Sequence, residues 1–290
     1  VRRTPYPDGV IDERPPGHVL AAFGLKESEP EPLWDGGWRY GEIVLSLIAD
    51  HARAAWSAKV RETLFVDGVR LARPVRSTDG RYVVSGWRAD TYVAGAPESR
   101  HDEVVSVGVR LHEVTAALER PRFLTQSPVP PWTEVDVFTV ADRAAWDDRP
   151  LHNLPLGAPE VADTPDRQQS VELLTQLGGL RRLTQATPQL VHGDLYGTVL
   201  FAGTAAPGIT DITPYWRPAA WAAGVAVVDA LSWGEADDEL IERWEDLPEW
   251  PQMLLRALMF RLAVHVLHPR STPEAFDGLL RTASLVRMAV

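Results

Sequence analysis

The sequence has no cysteine, and of its 29 basic residues only Lys26 and Lys59 are lysines. The first absence excludes disulfides, thiolate metal sites and thiol nucleophiles, and it suits a reducing compartment. The second leaves nearly all cationic work to arginine, so chemistry that depends on an ammonium group has two places to look. No run reaches the ~18–20 uninterrupted apolar residues of a membrane span. The first twenty residues hold no apolar stretch of the kind a secretory leader needs. Acidic residues outnumber basic ones 40 to 29, a formal net charge of -11, which disfavours nucleic acid and anionic membrane surfaces as partners. A cytoplasmic protein is therefore expected. Also missing are the phosphate-binding GxxxxGK[ST] loop, the dinucleotide GxGxxG turn and the GxSxG nucleophile turn.

What is present suffices for a sizeable core, since 45% of 290 residues are hydrophobic, and the length suits one large domain or two lobes. Residues 1–32 are rich in Pro, Glu and Asp and read as a loose arm with one docked piece, 18–25. Residues 34–48 read as two strands about a glycine turn, 49–64 as a helix, and 69–93 as a hairpin turning at Thr78, Asp79 and Gly80. From there the pattern is helical, at 101–119, 167–183, 219–233, 251–267 and 272–286, with a polar, proline-rich connection over about 121–165. The expectation is an α+β chain: a strand-rich N-terminal lobe over 1–95 and a mainly helical C-terminal lobe over 96–290.

One stretch breaks the apolar pattern from within. "LVHGDLYGTVLF" (190–201) begins and ends like a buried strand, yet carries His192 and Asp194. After it, "TVLFA" (198–202) and "GITDI" (208–212) flank a Gly- and Pro-containing loop and read as a hairpin. A hairpin centred between Thr204 and Ala205 sets Thr198 opposite Asp211, unless the register slips by one. Asp194, Thr198 and Asp211 then gather at one end of a short ribbon. Two carboxylates and a hydroxyl suit a hard cation such as Mg2+.

The motif pair "HGDLYGTVLF" and "GITDITPYWRP" resembles the catalytic loop and metal-binding segment of the kinase fold, in the aminoglycoside phosphotransferase-like branch. It is most similar to an actinobacterial group whose members share the "PYWRP" run. The resemblance covers roughly residues 20–270 and implies a protein-kinase-like, two-lobed fold. It implies ATP or another nucleoside triphosphate with Mg2+, and transfer of a phosphoryl group to a hydroxyl of a small molecule. On it, Asp194 would be the catalytic base, Asp211 a metal ligand with Thr198 beside it, and His192 a structural pin of the loop. Asp229, an acid in an apolar helix, would brace the loop by accepting backbone N–H bonds. Gly36 and Gly37, with Gly41, would let the chain approach the phosphates, and the crossing at 88–97 would offer backbone groups to an adenine.

Two positions depart from that pattern. Thr198 stands where the family has Asn, and Ser46 stands in "GEIVLSLIAD" where a kinase has the lysine that grips the nucleotide phosphates. Lys59, one helical turn before Glu62, would be a relocated cation with Glu62 as its partner, although a solvated helix face explains both as well. Arg39 is another cation within reach of the glycine turn. Tyr215, Trp216 and Arg217 would contact substrate or pack in the core. The "RHDE" run (100–103) is explained by acids opening a helix, and His265 and His268 read as structural. The departures leave a second possibility from another class, a catalytically inactive kinase-fold protein that binds or regulates.

Overall fold

A computed structural model describes residues 13–34, 36–129, 132–146 and 163–290. Most of the expected arm and part of the 121–165 connection lie outside the described residues. By contacts the chain forms two compact units, Pro7–Glu98 with Thr198–Pro214, and Ser99–Gly197 with Tyr215–Val290. The 198–214 hairpin thus belongs with the strands of the N-terminal part.

In the strand-rich unit, helix α1 (Gly17–Ala22) docks Val19, Leu20 and Phe23 into a core shared with Trp38, Tyr40, Leu45 and Trp87. Strands β1 (Glu31–Pro32), β2 (Trp38–Tyr40), β3 (Ile43–Leu47), β7 (Trp87–Thr91) and β5 (Pro74–Val75) follow one another across an antiparallel sheet, with β6 (Val83–Val84) also on β7. Helix α2 (His51–Thr63) starts where the Asp50 carboxylate accepts the N–H groups of Ala52 and Arg53. The expected hairpin over 69–93 is more divided than its apolar runs suggest. Pro74 follows a short β4 (Arg70–Leu71), which leaves the sheet and pairs in parallel with β10 (Gly208–Ile209).

The hairpin of β9 (Val199–Leu200) and β10 is in the slipped register. Leu200 faces Gly208 and Val199 faces Ile209, which sets Thr198 against Thr210 and carries Asp211 one residue past the pair. The expected Thr198–Asp211 pairing is corrected accordingly. An odd-numbered loop, 201–207, makes the difference.

The helical unit contains α3 (His101–Thr115), α4 (Glu134–Trp146), α5 (Pro165–Gly178), α6 (Ala219–Trp233), α7 (Trp250–Leu267) and α8 (Pro273–Ala289), with a two-stranded ribbon of β8 (Gln189–His192) and β11 (Pro214–Arg217). Helix α7 is its axis, buried on every side and packed by α4, α5, α6 and α8. Helix α4 is absent from the sequence reading, which took 121–165 as connection. Its Val137, Val140, Ala141, Ala144 and Ala145 form a helical stripe that α7 covers. Helix α5 stops at Gly178, followed by Gly179, rather than continuing to 183. No described helix is long and apolar enough to cross a membrane.

Candidate functional site

The chain passes from one unit to the other between Gly197 and Thr198, so Asp194 belongs to the helical unit and Thr198 and Asp211 to the strand-rich one. In the helical unit, strand β8 carries the H-G-D run to its place and α3 fixes the strand. The Thr115 hydroxyl donates to the Leu190 carbonyl at 2.8 Å, and the His192 N–H donates to Nε2 of His112 at 2.9 Å. Burial, reinforced by His192, lowers the pKa of His112 to about 3, so its ring stays neutral and Nε2 keeps its lone pair for that bond.

The loop then folds on itself. Nδ1 of His192 accepts the Asp194 N–H at 3.3 Å, a pinning role of the kind the resemblance implies. At Gly193 a Cβ would stand 2.4 Å from the Tyr215 ring, so the motif's central glycine is the residue the packing admits. Tyr215 is a core residue, in edge contact with Trp221 and Phe260, and Trp216 is half-buried. Arg217 makes a two-pronged bond to Asp142 of α4, at 2.8 and 2.7 Å. Of these three, the structure ties Tyr215 and Arg217 to the protein itself.

Asp229 is 0% exposed, and its role needs a correction. Its hydrogen bonds come from the guanidinium of Arg261, with Nε at 2.7 Å, rather than from loop backbone. The same guanidinium reaches Asp194 at 3.2 Å. Asp229 thus braces the loop at one remove, through Arg261. Burial pushes its carboxyl up to about 6; Arg261 opposes the rise and the charge of Asp194 adds to it. Asp194 itself is 35% exposed, open enough to meet a hydroxyl from solution.

In the strand-rich unit a cavity of about 230 Å³ lies over the sheet. Val44, Ala72, Val93 and Leu200 give it apolar walls, and Ser46, Arg88, Asp90 and Thr210 give it a polar side. Gly36, at φ 86°, and Gly37 form the turn between β1 and β2, where the Leu33 N–H bonds to the Gly37 carbonyl at 2.8 Å; Leu33 and Trp34 of that turn also line the cavity. At Gly95 a Cβ would stand 2.6 Å from the Phe201 carbonyl oxygen, which holds the crossing close against β9.

An arginine of the neighbouring strand stands beside Ser46. Ser46 pairs directly with Arg88 on β7, so both side chains share the cavity face, and residues two apart on each strand, Val44 and Asp90, join them. Arg88 donates to Asp211 through Nη1 and approaches Asp90 through Nε at 3.2 Å. From α2, Arg61 donates to Asp90 at 2.7 Å and stands 3.6 Å from Asp211, whose Oδ1 also accepts the Ser57 hydroxyl at 2.5 Å. Burial would raise the Asp211 pKa, but Arg88, Arg61 and Ser57 outweigh it and hold the carboxyl well below the usual carboxylate range.

Of the two readings of Lys59, the structure favours the solvated helix face over the relocated cation. Lys59 is exposed, and both oxygens of Glu62 bond Arg76, at 2.8 and 2.9 Å. Helical spacing placed Lys59 and Glu62 on the outer face of α2, while Ser57 and Arg61 took the inner one. Arg39 stacks 3.6 Å above the Tyr92 ring and bonds Glu31 at 3.3 Å. Arg88, Arg61 and Arg261 were missed in the sequence, though a signal existed for the last. A lone arginine in the apolar run "LMFRLAVHV" demands a buried acid, and "VVDALSW" holds one.

The residues do not fit a divalent cation at Asp211. Both its oxygens carry donors, two of them guanidiniums, which a cation would have to displace.

Comparison with solved structures gives the frame. Aminoglycoside phosphotransferase APH(4)-Ia superposes with a TM-score of 0.58 at 14% identity, over 93% of this chain and 96% of that one. The fold is that of an aminoglycoside phosphotransferase. A thermostable mutant of that phosphotransferase, in ternary complex with AMP-PNP and hygromycin B, gives 0.58 at 13% identity over 93% and 96% of the two chains. The mutant's apo form gives 0.56 at 15% over 93% and 97%. No family model and no curated protein sequence matches the chain. Within the phosphotransferase fold, then, the kinase-like α+β architecture stands, and Asp194 and Asp211 occupy their loop and hairpin with arginine partners.

Proposed function

We propose that the chain is a nucleotide-binding protein of the small-molecule phosphotransferase type in which nucleotide binding is built and phosphoryl transfer is weakened. ATP or another nucleoside triphosphate occupies the cavity of the strand-rich unit. Its base lies between Val44 and Leu200, with the 92–95 backbone along one edge and the phosphates toward Arg88. The observation that carries this reading is the cavity lining: apolar walls at one end and a guanidinium at the Ser46 position at the other. The bound AMP-PNP of one similar structure and the ADP of another support it.

The acceptor is the hydroxyl of a small molecule, as hygromycin B is a small molecule in those neighbours. Asp194, fixed by His192 and Arg261 and partly exposed, is the base that would take the hydroxyl proton. The "PYWRP" run (214–218) supports placement in the actinobacterial group. A kinase-fold binding or regulatory protein is the second reading, favoured by one observation: the Asp211 carboxylate is already held by Arg61 and Arg88. Mg2+, which the resemblance implies, would compete there with Arg61 and Arg88 for the Asp211 carboxylate, and no step is assigned to it.

Calorimetric titration with ATP, followed by an assay of ADP release across polyol acceptors, tests both readings. Slow turnover abolished by Asp194→Asn supports the transferase; binding with no turnover supports the regulatory protein. No ATP binding removes both.

A further inference from the structure

The four charged groups behind the cavity form a closed set. Arg61 and Arg88 alternate with Asp90 and Asp211, two positive and two negative, and Arg61 is anchored besides by the Ala72 carbonyl at 2.7 Å and the Ser57 hydroxyl at 3.1 Å. In a kinase-type nucleotide site a divalent ion is held by carboxylates and neutralises the phosphates. Here the two carboxylates, Asp90 and Asp211, are each held by guanidiniums instead. We propose that this cavity binds a nucleoside polyphosphate without a divalent cation, with Arg88 as the resident counter-charge to the phosphates.

The inference rests on the nucleotide-binding reading above and deepens it. Three observations converge. Arg61 is 0% exposed and cannot swing aside, so a dication at Asp211 would sit beside a fixed positive charge. Arg88 lies on the cavity wall opposite Ser46, where the phosphate-gripping cation is needed. Its guanidinium is a planar fork with five donors, able to keep Asp211 and Asp90 on two edges while meeting phosphate oxygens. A lysine ammonium in the same place would be a point charge with three donors and would not serve all of them. All the named groups lie in one compact unit, so the site does not depend on the other.

The test is calorimetric titration of the full chain with ATP, once with MgCl2 in excess and once with EDTA, and with adenosine as a phosphate-free probe. The expected result is an ATP affinity equal in the two buffers to within about threefold. Arg88→Met should weaken ATP binding about ten- to a hundredfold in both, the loss of a charge-assisted contact, while adenosine binding is unchanged. Retained adenosine binding shows that the variant is folded. If it is lost, Arg88→Lys replaces it, with a smaller loss for ATP expected in both buffers. ATP binding that appears only with MgCl2 overturns the inference and leaves the nucleotide reading standing. EDTA-buffered binding that ignores both Arg88 variants also overturns it. Absence of ATP binding in either buffer overturns the nucleotide reading itself, and the inference with it.

Discussion

In the helical unit one buried guanidinium, Arg261, serves two acids, Asp229 and Asp194; in the strand-rich unit two guanidiniums, Arg61 and Arg88, serve two, Asp90 and Asp211. The difference of one cation separates their chemistry. The first network keeps an unbalanced negative charge, with Asp229 enclosed and Asp194 partly exposed. The second is balanced, and its Asp211 carboxyl is held well below the usual carboxylate range by Arg88, Arg61 and Ser57 against the effect of burial. On the proposed function, a loop suited to general-base work and a nucleotide side served by arginine coexist in one chain.

The comparison can be broken at its most buried point first. Arg261→Met should cost about 3–5 kcal/mol in denaturant unfolding at neutral pH, because it leaves Asp229 enclosed without its partner and makes it take up a proton. A cost near that of a surface change would mean that the Arg261 pairing contributes little to the fold.

Next in size is the pH response of Asp229, about 3 kcal/mol if the rise to about 6 is set against the unfolded value near 3.9. A raised carboxyl keeps a proton in the folded state that the unfolded chain has lost. Its contribution therefore grows as pH falls from about 6 toward 4 and fades as pH rises through 6. Buried His112, His265 and His268, all held below their ordinary value, act in the opposite sense. The quantity to measure is thus the stability difference between the wild type and Asp229→Asn, which should widen on acidification. A difference flat in pH refutes the shift.

Asp211→Asn should be milder, about 1–2 kcal/mol, since its carboxylate is 38% exposed and Arg88 keeps Asp90. It should leave the Mg2+ response of ATP binding unchanged; a variant that newly loses a Mg2+ effect would restore Asp211 as a metal ligand. Glu62→Gln should change stability by no more than about 0.5 kcal/mol and ATP affinity not at all. A loss of ATP binding there would bring the outer face of α2 back into the site.

Much of this was legible in the residues. The helix over 219–233 matches its apolar run end for end, and α2, α3 and the β2–β3 strands fall within their periodic segments, because each is long or strongly patterned. The H-G-D loop and the acid after the hairpin were readable as a site for the same reason that they were anomalous, as charges inside apolar sequence. Helix α4 was not, since the prolines on either side of its thirteen residues resemble a linker and its stripe gains meaning only against α7. Nor was the register at Asp211, which one loop residue decides.

The sequence by itself determined that nearly every cation is arginine, that Ser46 and Thr198 stand where the resemblance expects a lysine and an asparagine, and that Asp194 sits inside an apolar stretch. Only the tertiary structure decided which cations stand beside Ser46 and Asp211. Cross-strand pairing brings Arg88 opposite Ser46 from forty-two residues away, and helix α2 turns Arg61 rather than Lys59 inward. Such partners are fixed by strand register and helix phase, which depend on contacts far apart in the chain.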